Sequence, residues 1–153
     1  MTDGTKAQKL AARTEKWANT MAKVQFSKHK TVPQWQWVKF LGPNKRESAG
    51  IVDVLLIRKD HREPPKGLKL KRGDLFEIIL LQIKGGSAPW PSSEDIKRLR
   101  IVRRRYGAKA IVLTHWGKGR MPDVYELKKT IRTDVGVRDA WKLLPSPQEL
   151  LRR

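Results

Sequence analysis

The sequence predicts an α/β fold, a mixed central β-sheet flanked by helices, and two observations predict it. Two long apolar runs, GIVDVLLIR and LFEIILLQIK, have strand character and need cover on both faces. A helix-period segment, EDIKRLRIVRRRY, separates the second run from a third apolar strand, AKAIVLTHW. Strand, strand, helix, strand is an α/β order, and its last crossover should lay the third of these strands parallel to the second.

Taken along the chain, Thr5 to about Val24 reads as a first helix. Leu10, Ala11, Trp17, Met21 and Val24 fall at helical spacing and predict its buried face, with Lys6, Lys9, Arg13, Lys16 and Lys23 outside it. FSKHKTVPQ breaks that helix, and WQWVKFL alternates as a strand closed by GPN. The next strand is expected over Ile51 to Arg58. KDHREPPKGLKLKRGD, rich in Pro, Gly and basic residues, reads as a long hairpin connection to LFEIILLQIK, which should be central in the sheet. Ser92 or Ser93 can cap the following helix, whose first turn holds Glu94 and Asp95, and Gly107 suits its stop. Ile96, Leu99, Val102 and Tyr106 share one face of it. The tail TDVGVRDAWKLLPSPQELL looks helical in two pieces, with Pro147 in a first turn. The 153 residues are expected to form one domain, with a core over about 5–116 and a helical extension over about 117–153.

Charge narrows the partners. The chain carries 34 Lys and Arg against 15 Asp and Glu, a net charge of +19. Such a charge repels itself and calls for a polyanion, and phosphate neutralisation makes nucleic acid the leading class. The basic residues are spread out, and no helix joins a basic face to a large apolar one, so no membrane partner is expected. There is no cysteine, which excludes disulfides, thiolate metal sites and cysteine nucleophiles. No apolar signal core or membrane-length apolar run is present, and the chain is expected in the cytoplasm.

Two expensive polar features then stand out. Asp53 lies inside GIVDVLLIR with apolar residues on both sides, where a carboxylate costs free energy unless it is paired or binds a cation. Gln82 and Lys84 share one face at the end of LFEIILLQIK. If the two strands pair, Asp53, Gln82 and Lys84 converge at one sheet end. A carboxylate and an amide oxygen suit a hard cation such as Mg²⁺ or Mn²⁺, and an adjacent ammonium can hold the attacking water or stabilise phosphorane charge. The plainer alternatives are an Asp53–Arg ion pair and a snorkelling lysine. His29, His61 and His115 show no ligand spacing and are read as non-catalytic.

With Asp53 in GIVDVLL and QIK at Gln82 to Lys84, the chain resembles the PD-(D/E)XK nuclease superfamily, which includes many restriction endonucleases and Holliday-junction resolvases. An amide in place of the usual second acid is similar to the Mrr-like branch. The resemblance covers about Glu15 to Trp116. It implies a restriction-endonuclease-like core of α-β-β-β-α-β order and a Mg²⁺-dependent deoxyribonuclease. It implies further that the backbone carbonyl of Ile83 ligates metal, and a glutamate of the first helix, for which Glu15 is the candidate. Glu47 is a rival second acid.

The expected partner is DNA, duplex or branched, and a homodimer is left open. Arg100, Arg103 and Arg104 on the second helix, and Lys69, Lys71 and Arg72 in the hairpin connection, are the expected phosphate contacts. Trp90 either stacks on a base or packs under its loop. Gly85 and Gly86 either make a turn or admit a nucleic-acid backbone. The alternative function is a catalytically weak or inactive nucleic-acid-binding protein on the same fold.

Overall fold

A computed structural model of the chain describes residues 5–27, 35–40, 42, 49–117, 119–129 and 137–152. Helix α1 (Lys6–Ser27) leads into strands β1 (Gln36–Lys39), β2 (Val54–Lys59) and β3 (Phe76–Gly85). Helix α2 (Ser93–Tyr106) connects β3 to β4 (Ala110–Trp116). Strand β5 (Asp123–Leu127), a 3-10 turn (Val137–Ala140), strand β6 (Trp141–Leu144) and helix α3 (Pro147–Leu151) complete the order. The six strands form one mixed sheet in chain order. β3 pairs antiparallel with β2 and parallel with β4, and the remaining neighbours are antiparallel.

The apolar runs behave as their composition demands. Ile79 and Leu81 of β3, with Val54 and Leu56 of β2, pack in one core layer with Phe26 of α1 and Leu150 and Leu151 of α3. Leu80, with Ile96 and Leu99 of α2, packs in the other, joined by Ile111 and Leu113 of β4. Period-2 alternation thus covers both faces of the sheet. The capping of α2 follows its sequence. Ser92 accepts from the Asp95 amide, the Asp95 carboxylate accepts from the Ser92 amide, and Gly107 ends the helix at φ 62°.

Three expectations are corrected. The buried stripe of α1 is Ala18, Ala22 and Phe26, whereas Leu10, Trp17 and Val24 are exposed. The reason is closeness of approach. A Cβ on Gly85 would lie 2.8 Å from the Ala18 Cβ, and one on Gly86 would lie 2.9 Å from Thr14 Cγ2. A helix this close to a strand end has room only for small side chains, so the larger ones turn outward. The two glycines therefore admit α1, and Gly86, at φ 60°, also makes the expected turn.

The second correction concerns the tail. It supplies strands β5 and β6 as well as α3, so 117–153 is not a helical extension. DVYEL and WKLL are short strands whose inward residues, Val124, Leu127, Trp141 and Leu144, extend the two core layers. Pro147 does open a helix, capped by Ser146, while the start of the expected tail helix at Thr133 lies outside the described residues. In the third, Tyr106 is exposed instead of sharing the buried face of α2 with Ile96 and Leu99. Among the described residues no helix is long and apolar enough to cross a membrane.

One buried ion cluster ties the far end of the sheet together. Glu77, 7 % exposed, accepts from Arg58 at 2.6 Å and from Lys109 at 3.1 Å. Arg58 also donates to the Leu151 carbonyl and stacks over Trp35 at 4.2 Å. Burial on its own pushes the Glu77 carboxyl up, but the Arg58 and Lys109 hydrogen bonds outweigh it and hold the group below its ordinary value.

Candidate active site

β2 and β3 part company at Asp53. The last paired residues there are Val54 and Leu81. Beyond them the Asp53 amide donates to the Leu81 carbonyl at 3.0 Å, and the Ile83 amide donates to Asp53 Oδ2 at 2.8 Å. The carboxylate thus stands in for a backbone acceptor where the ladder ends, and Asp53 bonds to the residues on either side of Gln82. This answers part of the cost of placing a charge in an apolar strand.

The close seating of α1 on Gly85 and Gly86 brings a second carboxylate to the same place. Glu15, Asp53, Ile83 and Lys84 border one cleft of about 630 Å³ between α1 and the end of β3. Its far wall is Ser87 to Pro89, in the loop that leads to α2. That loop is anchored to β4, since the Gly86 amide donates to the Trp116 carbonyl at 2.9 Å and the His115 ring meets the Gly86 carbonyl at 3.1 Å. Glu15 is exposed and Asp53 and Lys84 are half-buried, so the cleft is open to solvent.

Gln82 is placed differently. It is 5 % exposed and does not border the cleft. Its amide nitrogen donates to the Ile51 carbonyl at 2.8 Å. Its Oε1 is buried and has no hydrogen-bond partner among the described residues. An orphaned buried acceptor costs about 1–3 kcal/mol. A hard cation is one partner that would satisfy it. Among the described residues no three His, Asp or Glu side chains gather into a ready metal cage. Glu47 lies outside the described residues, as does His29.

Most of the expected phosphate contacts are elsewhere or occupied. Arg100 donates to the carbonyls of Lys128 and Lys129, at 2.7 and 3.0 Å. Arg103 donates to the carbonyls of Ala108 and Lys109. Both guanidinium groups fasten α2 to neighbouring segments, while Arg104 is exposed. Lys69, Lys71 and Arg72 sit in the β2–β3 connection, which joins Lys59 to Phe76 at the end of β3 opposite Lys84. Eight strand steps separate those ends, about 26 Å. Arg72 there pairs with Glu63 at 2.7 Å.

Trp90 also resolves to its plainer alternative. It packs edge-on against Tyr125 at 4.7 Å, close to His115, under the Arg138 guanidinium at 4.9 Å. Beside the cleft, Trp17 is exposed and Trp116 half-buried. Sequence periodicity hid the first by assigning it to the core.

No protein-family model matches this chain, and no curated protein or solved structure matches it.

Proposed function

We propose that the chain is a metal-dependent endonuclease that hydrolyses DNA phosphodiester bonds, with a restriction-endonuclease-like core. The observation that carries this reading is the single cleft bordered by Glu15, Asp53, Ile83 and Lys84. The element order α-β-β-β-α-β over Lys6–Trp116, with β2, which starts directly after Asp53, beside the Lys84 strand, supports it. So does a net charge of +19.

Each group has a part. Asp53 and Glu15 offer hard carboxylate oxygens, and the Ile83 carbonyl is a third candidate ligand; Mg²⁺ or Mn²⁺ bound there would act as a Lewis acid and lower the pKa of its water. Lys84 opposes the negative charge that develops on the phosphate oxygens and orients the attacking water. The Ile83 amide fixes the Asp53 carboxylate in one orientation. Gln82 lies outside the cleft; its amide nitrogen donates to the Ile51 carbonyl, and its buried Oε1 is the further neutral oxygen that the resemblance would assign to the metal.

The second reading is a nucleic-acid-binding protein on the same fold without catalysis. The tie from the Gln82 amide to the Ile51 backbone favours it, because it gives Gln82 a structural task. Supercoiled plasmid separates the two. The nuclease reading expects conversion to open circles with Mg²⁺ or Mn²⁺, and none with EDTA. Retained plasmid binding without nicking under either metal favours the second reading.

A further inference from the structure

The exposed stripe of α1 borders a second groove beside the cleft. Leu10, Arg13, Trp17, Met21, Trp116 and Arg120 line it, with a volume of about 740 Å³. Leu10 and Thr14 border both hollows, so the groove adjoins the cleft along α1. Trp17 is 55 % exposed and Leu10 65 %, an apolar surface that folding alone does not explain.

We propose that this groove receives an unstacked nucleobase of a nucleic-acid strand whose backbone crosses the Asp53–Lys84 cleft. The inference rests on the nuclease reading for the position of the backbone, and it narrows the substrate to nucleic acid with unpaired nucleotides next to the cleavage point. Three features commit the groove to this occupant. Indole faces and thioether side chains accept any base by stacking and contact, without reading its hydrogen-bonding edge. Arg13 and Arg120 border the apolar surface; Arg120 folds across Gly117, 3.3 Å from where a Cβ would lie, and has a long 3.9 Å ion pair with Asp123 that leaves its side chain 67 % exposed. Two guanidinium groups beside a base pocket suit the phosphates that flank the base. A second copy of the chain fits poorly. A two-fold contact across this groove would bring both arginines of one copy near those of the other, between partners of +19 each.

Duplex DNA must unpair and unstack a base, at a cost of about a few kcal/mol, before it can offer one to the groove. A single strand, a flap or a junction offers one at a lower unstacking cost. The cleft and groove together then fit a strand that leaves a helix near the scissile phosphate.

The test uses the full chain in EDTA, so that cleavage plays no part. The probe is a single-stranded oligodeoxynucleotide with one 2-aminopurine, read by fluorescence titration. The parent should quench the 2-aminopurine and bind the single strand more tightly than its duplex. Trp17→Ala should lose about tenfold in affinity together with the quench, and Trp17→Phe should recover most of both. Circular dichroism checks the fold of each variant, and the exposure of Trp17 protects it. Phe76→Ala, which removes an exposed ring at the opposite end of β3 from the cleft, should bind the oligonucleotide like the parent. Equal binding by Trp17→Ala and the parent would overturn the inference while leaving the plasmid test of the nuclease untouched. A parent dimer in sedimentation that Trp17→Ala converts to monomer would overturn it in favour of a self-contact.

Discussion

Lys84→Met should lower the proposed metal-dependent nicking by about two to three orders of magnitude and leave affinity for DNA nearly unchanged. Losing one preorganised group that opposes transition-state charge costs about 10²–10³-fold. Lys84 is one cation among 34 Lys and Arg, so its share of phosphate attraction is small. Asp53→Asn complements it. The asparagine oxygen still accepts the Ile83 amide, which now bonds Asp53 Oδ2 at 2.8 Å, so the end of the β2–β3 ladder keeps its shape. Only the negative charge is removed. Nicking assays beside gel-shift titrations read both variants. Full activity in Lys84→Met would make this lysine a solvated strand end.

Glu77→Ala destabilises the fold by about 3–5 kcal/mol, because it strips the carboxylate from two confined cations. Arg58 and Lys109 have side chains only 11 % and 18 % exposed, and both meet Glu77. That loss is a large part of the roughly 5–15 kcal/mol that holds a domain folded. Urea denaturation measures it. A loss below about 1 kcal/mol would mean that the cluster behaves like a solvated surface pair.

The same group sets an acid limit. The Glu77 carboxyl is held below its ordinary value of 4.5 in the folded chain. A depressed pKa contributes stability that is present above the unfolded value and lost as pH falls through the folded one. Asp60 adds a second such contribution, since its hydrogen bond from Arg62 lowers it to about 2. Stability should therefore decline from about pH 4.5 downward, and Glu77→Gln should flatten the upper part of that decline.

How much of this was legible differs by element, for physical reasons. The β2 and β3 strands and their neighbour relation could be read, because runs such as EIILL have one economical fate between two layers of helices. The α2 boundaries were legible in the Ser92–Ser93 pair, of which Ser92 is the cap, and in Gly107. The buried face of α1 was not. Hydrophobicity favours Trp17 over Ala18, but the glycines at 85 and 86 reward small size, and that constraint arises only once the helix meets the strand. The two final strands were hidden by their brevity, four or five residues each.

Within the site, Asp53 and Lys84 could be found as costly residues in apolar surroundings. Their approach to Glu15 depends on the depth at which α1 sits. The tasks of Arg100 and Arg103 were illegible because their partners are backbone carbonyls, which leave no mark on side-chain sequence. Gln82 looked like a ligand by spacing, and only the structure revealed its bond to the Ile51 carbonyl.

Calorimetric titration of Mn²⁺ into the metal-free protein, with no DNA present, asks whether the cleft of Glu15, Asp53 and Lys84 holds a divalent cation. The parent should show one binding event that Asp53→Asn removes or severely weakens, because the Coulomb attraction follows ligand charge. Lys84→Met should bind Mn²⁺ at least as well as the parent, since a repelling cation has gone. Identical titrations for the parent and Asp53→Asn would contradict the account and leave Asp53 as the acceptor that closes the β2–β3 ladder.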